Sequence, residues 1–406
     1  MEHILSWLIW LPIIGMAAIA FIPREKEDVI KITAAATTGL QFLLTLVLWK
    51  NFDSGSGAMQ FMERAEWIPS FNIAYILGVD GLSLPMAILT GLLCFLGVFV
   101  SWNINKAVKG YFALFLLLDT GIMGVFLSMD FFLFYIFWEV MLLPMYFLIG
   151  IWGGPQREYA AIKFFLYTLF GSVLLLVGIL GLYFSCGKTF DILELKRVAP
   201  DALGGVMWWG MSGIKVIWVL LFIGFAIKVP VFPFHTWLPL VHVEAPTAIS
   251  VLLAGILLKL GVYGILRINY GLMPDGVYWF SGALAFLGLI NVIWGGLCAL
   301  AQTDLKKLVA YSSVNHMGYA LIGMAAVIAA SEANGLNLKA AQAGLGGAVF
   351  QMFNHGTISA MLFILVGVIY DRAHHREIAG FGGLAAQMPI YAGITALAFF
   401  AGLGLP

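Results

Sequence analysis

Apolar residues in this chain come in blocks of about twenty, the length needed to cross the hydrocarbon core of a bilayer as a helix. Eleven blocks reach it: roughly 4–22, 29–49, 82–102, 111–129, 131–152, 162–184, 214–239, 246–268, 277–302, 309–331 and 345–370. A twelfth begins near 388, and the pattern predicts that the chain stops inside it, truncated in mid-helix. Backbone groups in lipid must bond within their own segment, so each block is expected to be a helix.

Two connections are long. Residues 50–81 contain WIPSFNIAYILGVDGLS, rich enough in β-branched and aromatic residues for a small hairpin. Residues 187–212 contain DILELKRV, which reads as a short amphipathic turn lying at the interface. Loops after odd-numbered spans carry Arg24, Lys26, Lys106, Lys109, Arg157, Lys306, Lys307, Arg372 and Arg376. Those after even-numbered spans carry fewer cations and more Asp and Glu. Cation-rich loops stay in the cytoplasm, so the N-terminus is expected outside.

Composition agrees with this reading. Of 406 residues, 62% are hydrophobic and 10% charged, against about a quarter charged in soluble proteins. Net charge is zero, so no basic surface points to nucleic acid. Cys94, Cys186 and Cys298 lie far apart and fit no cluster or zinc spacing, so they read as small apolar packers. No iron–sulfur, haem or flavin motif is present; any electrons involved travel in another chain. The N-terminus carries Glu2 and no small-residue cleavage site, so the first block reads as a retained span.

Against this background a few residues are out of place. An ionisable side chain at the bilayer centre costs about 2.5–3.5 kcal/mol on insertion scales, which makes each one a functional candidate. Glu139 sits mid-span in DFFLFYIFWEVMLLPMYFLIG, and Lys259 mid-span in ISVLLAGILLKLGVYGIL. Lys228 lies in span seven, His235 a little beyond it, and His316 and His355 in spans ten and eleven. Lys163, Lys215 and Asp119 are the weaker cases, explained by snorkelling towards the headgroups. A plain structural ion pair between Glu139 and Lys228 is the alternative to function for those two. For each histidine the alternative is a ring bonded within its own packed helix.

The stretch GFAIKVPVFPFHTW (224–237) puts Lys228, Pro230, Pro233 and His235 into one apolar segment. Prolines remove amide donors and break a helix. Broken membrane helices expose backbone where polar groups and water collect. Desolvation and a nearby carboxylate pull a lysine's proton affinity in opposite directions, and histidine titrates near neutrality unaided. Glu139, Lys228, Lys259, His235, His316 and His355 are therefore read as a proton relay across mid-membrane. A sodium site would instead want several convergent oxygens.

Internal similarity points to a repeat. KFFLYTLFGSVLLLVG (163–178) parallels FQMFNHGTISAMLFILVG (350–367), and FAIKVP (225–230) parallels AGLGLP (401–406). Spans 4–8 would recur as spans 9–13. Five is odd, so the second copy inserts upside down.

These residues also carry a family signature. FFLFYIFWEVMLLPMYFLIGIWGG, KVPVFPFHTWLPLVHVEAPTAISVLLAGILLKLGVYGILR and WIPSFNIAYILGVDGLS resemble the subunit M family of respiratory complex I, the bacterial counterpart of mitochondrial NADH dehydrogenase chain 4. The resemblance covers nearly the whole chain. It implies an all-α polytopic, antiporter-like fold of fourteen helices, with inverted five-helix repeats and broken helices at spans 7 and 12. The implied divisions are 1–110 (spans 1–3 and the 50–81 loop), 111–270 (first repeat) and 277–406 (second repeat, incomplete). It also implies a Glu139–Lys228 pair, Lys259 as the bridging group, and His316 and His355 in the second half-channel. The charged residue of span 12 falls beyond Pro406. Where the family has His-Thr-Trp-Leu-Pro-Asp-Ala-His, this chain has Leu240 and Val241 in place of the acid and the small residue.

The function implied is proton translocation within NADH:quinone oxidoreductase, with no redox cofactor in this chain. FMN, iron–sulfur clusters and quinone would belong to partner subunits. The partners implied are the other membrane-arm subunits, two of them antiporter-like, together with lipid. Multi-subunit sodium/proton antiporters share the Glu and Lys positions and supply the alternative.

Overall fold

The computed structural model describes residues 2–208, 210–330 and 337–405. The chain opens with α1 (Ile4–Phe21) and α2 (Glu27–Lys50). The expected hairpin follows as antiparallel β1 (Gln60–Ile68) and β2 (Ile73–Val79). Next come α3 (Ser83–Val100) and α4 (Val108–Leu127), then α5 (Phe131–Val140) and α6 (Leu142–Trp152), which together make one span. After α7 (Arg157–Ser185), the segment read as an interfacial turn is a helix, α8 (Ile192–Gly204), followed by short strands β3 (Met207–Trp208) and β4 (Met211–Ser212).

The predicted seventh span is two pieces, α9 (Gly213–Lys228) and α10 (Trp237–Glu244). The next span, Thr247–Tyr270, contains α11 (Thr247–Leu252) and α12 (Leu258–Gly264), each followed by a π-helical turn, at Leu253–Leu257 and Ile265–Tyr270. The second half is α13 (Pro274–Leu300), α14 (Leu305–Ala325), α15 (Leu338–Ala373), the short α16 (Leu384–Gln387) and α17 (Pro389–Gly402). Pro406, at the proposed break of span twelve, lies outside the described residues.

Among the described residues, nine helices are long and apolar enough to cross a membrane. This is a multi-pass membrane protein. The spans at α9 and α14 do not meet that standard, and both hold polar machinery. α9 stops at Lys228. α14 carries Ser312, Ser313, Asn315 and His316 in its middle.

Side chains satisfy the backbone freed at the break. Asn291 of α13 accepts from the Phe232 N–H at 2.8 Å and donates to the Pro230 carbonyl at 3.1 Å. The Trp237 indole donates to the Ile227 carbonyl at 2.9 Å. Polar groups in lipid demand such partners, since an unpaired one costs several kcal/mol.

The chain crosses back and forth, so its ends of helices fall on two sides: the hairpin side, and the opposite side where the cation-rich loops lie. One backbone motif occurs once on each. Before α5, Phe131 N–H donates to Phe190 O and Ile192 N–H to Met129 O. Before α14, Leu305 N–H donates to Arg376 O and Ile378 N–H to Thr303 O. In each case an aspartate caps the helix: Asp130 accepts from Phe132 and Leu133 N–H, and Asp304 from Lys306 and Lys307 N–H. The same motif on opposite sides is what an inverted repeat produces.

Candidate functional site

Lys228 is the last residue of α9 and is 2% exposed. Its ammonium lies over the rings of Trp138 and Phe164, at 5.3 and 5.5 Å. Glu139, next to Trp138 on α5, is half-buried and within electrostatic range of Lys228. The two are not in contact: no ion pair within 4.0 Å joins them among the described residues. The expected pair is thus not closed, and the Glu139 Oε1 is buried with no hydrogen-bond partner among the described residues.

Lys259 is completely buried in α12, directly after a π-helical turn. Its Nζ donates back to the Ala254 carbonyl and meets His355 Nδ1 at 2.7 Å. Two glycines permit that meeting. A Cβ on Gly356 would stand 2.8 Å from the Gly255 carbonyl, so α15 and the π-turn touch backbone to backbone. The His316 ring lies 5.4 Å from the His355 ring, and its Nδ1 is 3.1 Å from Gln351 Nε2. Lys259, His355 and His316 are therefore brought together. α9 and α12 pack tightly, since a Cβ on Gly261 would stand 2.6 Å from the Phe225 carbonyl. No side-chain contact between Lys228 and Lys259 is present among the described residues.

His235 stands apart in the break. Its ring stacks on Phe232 at 5.6 Å, and its Nδ1 is buried and unpartnered. Its charged neighbour is Lys163.

Two residues were missed by the sequence reading. His242 of α10 is wholly buried, with both ring nitrogens unpartnered, and stacks on Phe363 at 4.5 Å. It lies within electrostatic range of both Lys259 and Lys306. Lys306, in the first turn of α14, is 5% exposed and donates to the Ala245 carbonyl at 2.6 Å. Lys306 faces a cleft of about 520 Å³ on the side of the cation-rich loops, lined in part by Trp152, Glu244 and Arg376, whereas His242 lies behind its wall, next in sequence to the lining residue Val243. His242 sits in a short helix whose sequence shows no long apolar run, so the rarity that marked the other residues did not mark it. Lys306 was read as a loop cation, though the chain folds it inward.

Asp119 also departs from expectation. It does not snorkel but is fully buried in α4, where Gln41 of α2 donates to it at 3.2 Å. A neighbouring helix supplies the donor, which a reading of one helix at a time does not show.

A lysine and histidine in contact in the buried interior of a helical membrane bundle, with a helix broken beside a second buried lysine, place the chain among polytopic membrane proteins of antiporter-like fold. The family described as NADH:quinone oxidoreductase/Mrp antiporter, TM, matches residues 128–406, and the chain belongs to it. Subunit M of NADH-quinone oxidoreductase from Rhodobacter capsulatus is 42% identical, covering 100% of this chain and 78% of that protein. A chain in the structure of respiratory complex I from Thermus thermophilus with bound NADH superposes with a TM-score of 0.85 at 28% identity, covering 99% of this chain and 79% of its own. A chain of the Mrp complex from Dietzia sp. DQ12-45-1b shares the fold, with a TM-score of 0.83 at 24% identity over 100% of this chain and 71% of its own.

Proposed function

We propose that this chain is a proton-translocating membrane-arm subunit of NADH:quinone oxidoreductase. It sits in the bacterial inner membrane with its N-terminus outside and its cation-rich loops in the cytoplasm. Quinone reduction and its cofactors belong to partner subunits, and the chain's membrane-arm neighbours include the two other antiporter-like chains. The observation that carries this reading is the buried 2.7 Å contact between Lys259 and His355.

In this reading protons enter from the cleft. Lys306 and Glu244 line it, His242 links them to Lys259, and His355 and His316 extend the path. The Glu139–Lys228 couple acts as the input. Not in contact in this structure, the two charges have room to close or part as a partner subunit moves. Either change alters the field on α9, which packs directly against α12. Unpartnered nitrogens on His235 and His242 suit side chains that wait for water or a proton.

Glu139→Ala in native membranes tests the assignment. If quinone reduction and proton pumping fall together in an assembled complex, the chain works in a coupled respiratory pump. If NADH oxidation is untouched and only tolerance of sodium or alkali is lost, the chain is an antiporter subunit.

A further inference from the structure

Lys259, Tyr263 and Arg267 recur every four residues along one helix, so they share a face. The relay described above uses only the first. The other two lead from it to the hairpin side, where Arg267 meets the β2–α3 junction. Its guanidinium grips Asp80 with two bonds, at 2.7 and 2.6 Å. It also donates to Ser83 Oγ at 3.0 Å and to the Tyr263 hydroxyl oxygen at 3.2 Å. The Ser83 and Tyr263 hydroxyls are 3.2 Å apart, and Tyr263 donates to the Phe126 carbonyl at 2.9 Å. Tyr263 and Ser83 are wholly buried.

We propose that Tyr263, Ser83 and the Arg267–Asp80 ion pair form a gated outlet from Lys259 to the hairpin side of the membrane. It rests on the proton-relay reading and extends it to an exit. The observed arrangement is the closed one. Arg267 fills Asp80, Ser83 and Tyr263 with donated bonds, and the Tyr263 proton points to Phe126, so no hydroxyl proton is directed at Asp80. The lysine is likewise turned away, held at Ala254 and His355.

Opening requires two movements. Lys259 swings from His355 towards Tyr263, one helical turn along, within reach of its four-carbon stem. Arg267 releases the carboxylate. The Lys259 ammonium then gives its proton to the Tyr263 oxygen as the Tyr263 proton passes to Ser83 and the Ser83 proton passes to Asp80. Lysine is left as a neutral amine and Asp80 as a neutral acid, which loses the proton to water on the hairpin side. π-helical turns flank the Lys259–Tyr263 segment on both sides, and such turns are frequent where a helix must adjust at a functional site. Alternating lysine contacts keep the inlet and outlet from being open at once.

The test uses the assembled complex in sealed membrane vesicles and reads the ratio of protons moved to NADH oxidised. Tyr263→Phe keeps the ring and its packing but removes the hydroxyl, and it should lower the ratio; Ser83→Ala should do the same. Asp80→Glu should retain more of the ratio than Asp80→Asn, since only the first keeps a carboxylate. Lys259→Ala is the reference for the relay itself. If Lys259→Ala lowers the ratio while Tyr263→Phe and Ser83→Ala match the parent, the outlet is wrong and the relay stands. If Lys259→Ala also matches the parent, the relay falls and takes the outlet with it.

Discussion

At the scale of single residues, the charges that cost most are the ones that were readable. Glu139, Lys228 and Lys259 stand out because nothing near them in sequence is polar, and burial of both lysines bears out that isolation. Removing one partner of a buried hydrogen bond leaves the other unsatisfied, at about 1–3 kcal/mol. His355→Ala should therefore destabilise the α12–α15 contact through Lys259, whereas Lys259→Met with His355→Ala should recover much of the loss in a thermal melt of the purified complex. Asp130 makes a second prediction, this one of pH. Burial pushes its carboxyl up to about 6, against the pull of the Leu133, Ala74 and Phe132 N–H groups that it accepts from. The unfolded value is about 3.9. A carboxyl raised on folding contributes stability that is whole below the unfolded value and is lost as pH rises through the folded one. The hairpin–α5 junction should thus weaken as pH climbs from about 4 through about 6. Asp130→Asn keeps an acceptor for the cap and should flatten that dependence in hydrogen exchange of the hairpin amides. Asp80 has the opposite sign. Burial alone would raise it, but the Arg267 hydrogen bond and charge together hold it below the usual range. Its contribution is present at neutral pH and is lost only as pH falls through that depressed value. What sequence did not reveal at this scale were His242, Lys306 and Asp119, whose partners are brought to them by other helices.

At the scale of elements, the helix break was legible and the helix bulges were not. Pro230 and Pro233 announce the gap between α9 and α10, because no side chain can restore a missing amide. The π-helical turns beside Lys259 leave no such mark, for ISVLLAGILLKLGVYGILRINY reads as an uninterrupted apolar helix. What accompanies them is tertiary: Gly255, inside the first turn, packs against Gly356, and Gly264, just before the second, packs against the Phe225 ring. Two substitutions separate these effects. Asn291→Leu removes both side-chain bonds to the break, leaving the Phe232 N–H and Pro230 carbonyl short of partners at about 1–3 kcal/mol each. A lower melting temperature of the solubilised complex is the expected result. Gly356→Ala acts elsewhere. Its methyl would meet backbone, the Gly255 carbonyl at 2.8 Å, which cannot rotate away. α15 must shift, so the Lys259–His355 contact should lengthen and proton pumping should fall in a complex that still assembles.

At the scale of the whole molecule, the question is whether the Glu139–Lys228 couple and the Lys259–His355 cluster are one device or two. Sequence placed both near mid-membrane but could not say whether they communicate, since that depends on how α9 packs. The structure puts the backbone of α12 against the end of α9, with Gly261 facing the Phe225 carbonyl, and joins the clusters by packing without a side-chain bond. Coupling through packed elements is established by energetics, not by proximity. A double-mutant cycle decides it. Glu139→Gln and Lys259→Ala are each expected to lower the pumping rate. Independent devices would multiply the two losses, because separated, unlinked sites combine additively in free energy. Steps of one serial relay would not: once either is blocked, the other has little left to lose. The double variant is therefore expected to pump about as poorly as the worse single variant, read in vesicles as the rate of acidification per assembled complex. Multiplied losses would mean that Glu139 and Lys228 serve a separate task, with the buried lysine–histidine cluster moving protons on its own.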